Sequence, residues 1–274
     1  MTTLQAHLAY KMGERYGKHP DDGHYPGKLI IVEGIDGSGK STQIDLLQKW
    51  LNSRNLVTVF TEWNSSPIVR RTTKRGKVEE MLTPMSFSLV HAADFANRVH
   101  AQILPALRAG AVVLADRYVY TAFARDSARG VDRDWLRRIY SFAVQPSLAL
   151  YFRTPLDVSI QRINSGREEL GYYESGQDMG FSNDREESFR IFQGRLLDEY
   201  DAMTEEFGMT VIDATQPIAV QQQLVRQYVD PLINGAMSGG NQSVPEALGQ
   251  AGLSGRYITP PMRRRPTETE VSDL

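Results

Sequence analysis

The sequence predicts a three-layer α/β fold, an open parallel sheet of five strands lying between helices. Three observations lead to it. Short β-branched or apolar runs alternate with helical patterns from about residue 28 to 234, as expected of parallel strands covered on both faces. The first run passes directly into a glycine-rich loop and then into an amphipathic helix. The 274 residues, 41% of them hydrophobic, suffice for one sizeable core.

Strands are expected at 29–33, 57–61, 111–115, 148–152 and 210–212, where β-branched and apolar residues cluster between turn residues. Helices are expected at 40–54, 86–109, 133–143, 155–163, 185–206 and 217–233. In the first of these, Ile44, Leu47 and Leu51, with Leu46 and Trp50 beside them, supply an apolar stripe at helical spacing. Residues 1–27 are mixed in character, with turns at His19-Pro20-Asp21-Asp22-Gly23 and Pro26-Gly27, and read as an N-terminal extension. From 235 the chain becomes rich in Gly, Ser, Pro and Gln, and Arg263-Arg264-Arg265 is followed by Thr, Glu and Ser without apolar periodicity. The segment 235–274 therefore reads as a disordered C-terminal tail.

Composition removes several functions. With no cysteine there is no disulfide framework, thiolate nucleophile, cysteine zinc site or iron–sulfur cluster. The 31 Lys+Arg against 33 Asp+Glu give a net charge of −2, which gives no support for a nucleic-acid coat. The longest apolar run, around 109–115, falls far short of the roughly 20 residues that span a bilayer. The first twenty residues contain Lys11, Glu14, Arg15 and Lys18 and no apolar secretory core. A cytoplasmic protein with no membrane association and no nucleic-acid partner is expected.

The run Leu29-Ile30-Ile31-Val32-Glu33-Gly34-Ile35-Asp36-Gly37-Ser38-Gly39-Lys40-Ser41-Thr42 is a strand entering G-x-x-x-x-G-K-S and then a helix. That is the context of a phosphate-binding loop. Gly34, Gly37 and Gly39 let the backbone curl its N–H groups inward, and the helix N-terminus adds positive potential. Asp36, Ser38 and Thr42 complete the ATP-binding set, Lys40 reaches the β and γ phosphates, and the Ser41 hydroxyl is a magnesium ligand. The fold is thus expected to be of the P-loop NTPase type. After the third strand comes Asp116-Arg117-Tyr118, at the sheet end where ligands collect in open parallel sheets. Asp116 is suited to hold magnesium through water or to accept a hydrogen bond from Ser41. Arg117 is suited to clamp a phosphate.

The loop 34–42, its Glu33-Gly34-Ile35-Asp36-Gly37 lead-in, the Asp116-Arg117-Tyr118 placement and the stretch 89–107 ending Ile103-Leu104-Pro105-Ala106-Leu107 resemble the thymidylate kinase family of nucleoside monophosphate kinases over roughly 28–233. The resemblance implies transfer of the γ phosphate of ATP to dTMP on a five-stranded parallel sheet, with magnesium as cofactor, nucleotides as partners, and commonly a homodimer. It implies Asp36 at the acceptor's 3′-hydroxyl and Arg117 at its phosphate. Gly37 stands where some members carry an arginine, so a mobile lid must supply that charge. The segment from about 162 to 185 suits a lid, with Arg162 and Arg167 as its catalytic arginines and Arg185, Arg190 and Arg195 following on a helical pattern.

Other positions depart from the family pattern. Its arginine beyond the second strand is missing from Thr61-Glu62-Trp63-Asn64-Ser65-Ser66-Pro67, leaving Glu62 in the acceptor set and Arg70 or Arg71 as substitutes. His91 stands where an aromatic usually stacks on thymine, and Phe95 where an arginine reads the base. Arg125 and Asp126 replace a tyrosine and an amide, which makes Arg125 a further candidate for the acceptor phosphate, while Tyr172-Tyr173-Glu174 are candidates to bound the base. Two other functions stay open on sequence alone. A nucleoside kinase would use Glu33 or Glu62 as base, and an ATP-binding regulatory protein would keep the loop without transfer. The basic run 70–77 reads either as an aid to holding anions or as a solvated charged turn.

Overall fold

The protein is described here as a computed structural model covering residues 25–166, 170–234, 244–253 and 258–259. Strands β1 (Lys28–Glu33), β2 (Thr58–Glu62), β3 (Val112–Asp116), β4 (Leu148–Arg153) and β5 (Thr210–Asp213) form the five-stranded parallel sheet that the sequence predicts, in the order β5-β4-β1-β3-β2. A two-residue strand, β6 (Ile258–Thr259), adds an antiparallel edge, pairing Ile258 with Val59. The order reverses at β1, which lies between β3 and β4, so the crevice beyond its carboxyl end is the expected ligand position. Registers Val32 to Asp116 and Glu62 to Asp116 bring the ends of β1, β2 and β3 level there.

The alternation of strand side chains divides the core into two layers. Leu29 and Ile31 point to one, with Val57, Val59, Val113 and Ala115. Helices α3 (Pro84–Arg98), α5 (Val119–Ser127) and α8 (Arg185–Phe207) cover that face. Ile30 and Val32 point to the other, with Val112, Leu114, Leu150 and Phe152. It is covered by α1 (Lys40–Ser53), through the expected Ile44, Leu47 and Leu51, and by α9 (Ile218–Asn234), through Val225, Val229 and Ile233. The remaining helices are α2 (Arg70–Val78), α4 (Leu104–Arg108), α6 (Arg133–Ile139), α7 (Leu156–Gly166) and α10 (Val244–Gln250).

The structure corrects several expectations. The single helix expected at 86–109 is α3, then one π-helical turn at Val99–Ile103, then α4. Pro105 lacks an N–H and its ring would strike the carbonyl of Ala101 in a regular helix, and a wider turn relieves both conflicts. Thr83 starts α3 through a capping box with Ser86, with Pro84 at its first turn. The helix expected at 133–143 stops at Ile139. The basic run is no open turn but α2, and α5 follows Tyr118 where no helix was expected. A structureless tail from 235 does not hold at 244–253. Val244 and Leu248, one helical turn apart, and Leu253 bury themselves in the first core layer.

Candidate active site

The phosphate loop leaves β1 with Gly34, Gly37 and Gly39 at φ 141°, 74° and 84°, conformations that side chains resist. Space forbids a side chain as well: a Cβ at Gly34 would lie 2.6 Å from the Phe152 carbonyl oxygen, and one at Gly37 2.6 Å from that of Ser159. The Lys40 ammonium folds back over the loop, donating to the Ile35 carbonyl at 2.8 Å and to Ser38 Oγ at 3.3 Å. Burial, reinforced by repulsion from Arg117, lowers its pKa from 10.5 to about 8. The loop thus holds a desolvated cation at the N-terminus of α1, an arrangement that a polyphosphate completes.

Across the crevice, the Ser41 hydroxyl donates to Asp116 Oδ2 at 3.2 Å, one of the two arrangements foreseen for that aspartate. Arg117 adopts φ 66°, left-handed for a residue with a side chain, a conformation that concentrates at functional sites. Its guanidinium pairs with Asp36. The turn is fixed from below by Glu33, which is fully buried. Glu33 Oε1 accepts from the backbone N–H groups of Tyr118 at 2.7 Å and Thr121 at 3.2 Å, and Oε2 from the hydroxyls of Thr121 at 2.6 Å and Tyr200 at 2.9 Å. Burial raises the Glu33 pKa and these donors oppose the rise. Both oxygens are engaged, so Glu33 anchors the start of α5 and cannot serve as a base toward a substrate.

The lid residues divide. Arg162 on α7 donates to the carbonyls of Gly37 at 3.3 Å and Ala214 at 2.9 Å, placing its exposed guanidinium beside the phosphate loop. Arg167 lies outside the described residues. The later arginines hold local structure: Arg185 donates to Gln177 and Leu170, Arg190 pairs with Asp157, and Arg195 stacks over Phe181 at 4.1 Å. The segment between them is tied down by Arg129, which pairs with Asp178 at 2.7 Å and donates to the Tyr173 carbonyl at 2.6 Å. Tyr173 packs on Phe87 at 5.3 Å.

Among the acceptor candidates, His91 is buried and stacks on Phe87 at 4.2 Å, with Trp63 at 6.0 Å. The Arg125 guanidinium lies over the same two rings, 4.7 Å from Phe87 and 5.4 Å from Trp63, and is held by Asp126. Phe95, as fully buried as His91, packs against Trp63, Tyr118 and Tyr140 in the aromatic core. Glu62 is exposed at the end of β2, level with Asp116. Arg70 is exposed at the start of α2.

Sequence reasoning missed the residues that position Asp36. Gln193 of α8 brackets it, accepting from its N–H at 3.3 Å and donating to its carboxylate at 3.4 Å, while the Ser159 hydroxyl donates to its carbonyl. They lie 157 and 123 residues away, so no local motif could reveal them. Arg98 was also missed. One turn beyond Phe95, it donates to Thr61 Oγ1 at 3.1 Å and brings a buried guanidinium 5.2 Å from the Trp63 ring. Burial lowers its pKa to about 10.

Comparison with known proteins adds to this geometry. The family model described as thymidylate kinase matches residues 32–225. A protein of Saccharolobus solfataricus named probable thymidylate kinase 2 is 41% identical over 212 residues, covering 77% of this chain and 99% of that protein. A probable thymidylate kinase of Thermococcus kodakarensis is 39% identical over 215 residues, covering 75% of this chain and 98% of its own. The thymidylate kinase of Parasynechococcus marenigrum is 33% identical over 221 residues, covering 75% and 99%.

Proposed function

The chain belongs to the thymidylate kinase family, and from that premise we propose that it transfers the γ-phosphoryl group of ATP to dTMP, giving dTDP and ADP. The observation that carries this reading is the convergence of Lys40, the Ser41–Asp116 contact and the Arg117–Asp36 pair at the carboxyl ends of β1 and β3. The loop of Gly34, Gly37, Ser38, Gly39, Lys40 and Thr42 holds the donor phosphates. Arg117 exchanges Asp36 for the acceptor phosphate, which frees Asp36 for the acceptor sugar. An acceptor phosphate oxygen is already nucleophilic, so no general base is needed. Catalysis then rests on alignment and on charge brought to the transferring group by Lys40 and the lid arginines Arg162 and Arg167.

The Ser41 hydroxyl and Asp116 carboxylate fit magnesium. They are two hard oxygen donors 3.2 Å apart, Ser41 exposed and Asp116 half-buried. When bound, magnesium neutralises charge between the donor phosphates. The nucleoside kinase alternative loses Glu33 as base, since four donors occupy its carboxylate.

No described helix is long and apolar enough to cross a membrane. A second copy of the chain is proposed as a partner through α2 and α3. Val78 at the end of α2, Met81 on the connection to α3, and Met85 and Leu89 one turn apart on α3, are 73%, 65%, 47% and 46% exposed. Light scattering at twice the chain mass supports that pairing and a monomer refutes it. The kinase reading is tested by ADP release from magnesium-ATP with a panel of ribo- and deoxynucleoside monophosphates, matching nucleosides and a no-acceptor control. Fastest turnover on dTMP is expected. Preference for a nucleoside, or ATP binding without transfer to any acceptor, overturns it.

A further inference from the structure

His91 carries a hydrogen-bonding atom that nothing in the chain uses. Its Nδ1 lies 2.8 Å from the Phe87 carbonyl, which can only accept, so Nδ1 bears the hydrogen. Burial, with Arg125, Lys77 and Arg129 nearby, pushes the ring's pKa well below the usual histidine value, and the ring is neutral at physiological pH. Nε2 therefore presents a lone pair. It is fully buried and has no partner among the described residues, so a water or a ligand group is free to complete it.

Aromatic rings surround the imidazole. Phe87 stacks on the imidazole at 4.2 Å and Trp63 stands 6.0 Å away at a tilt of 54°. Arg125 covers both rings, so an arriving base displaces its guanidinium. Thymine and uracil present an N3–H donor between two carbonyls, whereas cytosine presents a lone pair at N3. Two lone pairs facing each other in a dry site leave both unsatisfied, and sites built to pair a donor reject analogues lacking it far more strongly than apolar pockets reject a missing methyl.

We propose that His91 Nε2 accepts the N3–H of the acceptor base and selects thymine and uracil nucleotides against cytosine. This rests on the kinase reading and gives its acceptor site a specificity element. His91 then acts as a fixed acceptor and not as a replacement stacking ring.

The test uses the full chain as wild type, His91→Phe and His91→Gln, with dTMP, dUMP, dCMP and N3-methyl-dTMP as acceptors. Wild type is expected to favour dTMP over N3-methyl-dTMP by about 100-fold or more in kcat/KM. His91→Phe keeps the ring stack, so dTMP loses about 10- to 100-fold, chiefly through KM, while N3-methyl-dTMP changes little and the ratio collapses. His91→Gln, with an acceptor oxygen, recovers part of the ratio. Equal losses on both acceptors would mean a structural role and overturn the proposal.

Nitrogen NMR of the histidine side chains separates this from the kinase reading. Without ATP, dTMP should shift the His91 Nε2 resonance and N3-methyl-dTMP should not. A shift without turnover on any monophosphate refutes the kinase reading alone; no shift with dTMP refutes the role of His91.

Discussion

Replacing Lys40 with methionine should stabilise the ligand-free protein while destroying its use of ATP. Lys40 is 6% exposed, and its pKa falls from 10.5 to about 8. At 1.36 kcal/mol per unit, keeping it charged at pH 7 costs about 3 kcal/mol relative to the unfolded chain. Methionine keeps most of the stem and removes that cost, but it leaves the Ile35 carbonyl and Ser38 Oγ without the ammonium, an offset of about 1–2 kcal/mol. The net gain is about 1–2 kcal/mol, or a Tm rise of about 3–6 °C by calorimetry at pH 7. Below pH 8 the lysine is charged in both states and the penalty is complete. Between pH 8 and 10.5 the folded protein releases the proton while the unfolded chain keeps it, so wild type gains stability as pH rises and the gap should close. Over the same range wild-type kcat/KM for ATP should decline, since the free enzyme loses the ammonium. A variant less stable than wild type at pH 7, or a gap that ignores pH, would rule out a desolvation cost at Lys40.

Three further outcomes follow from the geometry. Arg117→Ala should raise the KM for the acceptor about 10- to 100-fold, the worth of a charge-assisted phosphate contact, with the KM for ATP little changed; steady-state kinetics in both substrates separates the two. Glu33→Ala strands four donors beneath the Arg117 turn and should lower stability by about 3 kcal/mol or more in chemical denaturation. Asp116→Asn should raise the magnesium concentration for half-maximal rate without unfolding the protein, as a titration of rate against free magnesium would show.

The phosphate loop was legible because its chemistry is contiguous: strand, glycines, Lys40 and Ser41 follow one another in the chain. Asp116 and Arg117 were legible because a charged pair closes an apolar strand. Two of the missed helices, α5 and α2, lack the signal that betrays a helix. In α5 nearly every residue is buried, so no apolar stripe stands out, and α2 is polar nearly all round with only Thr73 and Gly76 buried. The motif alignment put both His91 and Phe95 in the acceptor set, but it could not tell that Phe95 meets Tyr118 and Tyr140 in the core while His91 keeps an unused nitrogen. Gln193 and Ser159 reach Asp36 only through tertiary folding.

Phosphorus NMR of wild type with magnesium-ATP and dTMP reads whether Lys40, Asp116 and Arg117 bring the two nucleotides together for direct transfer. One dTDP for each ADP, with no inorganic phosphate, is the predicted result. ADP accompanied by inorganic phosphate and unchanged dTMP would contradict it.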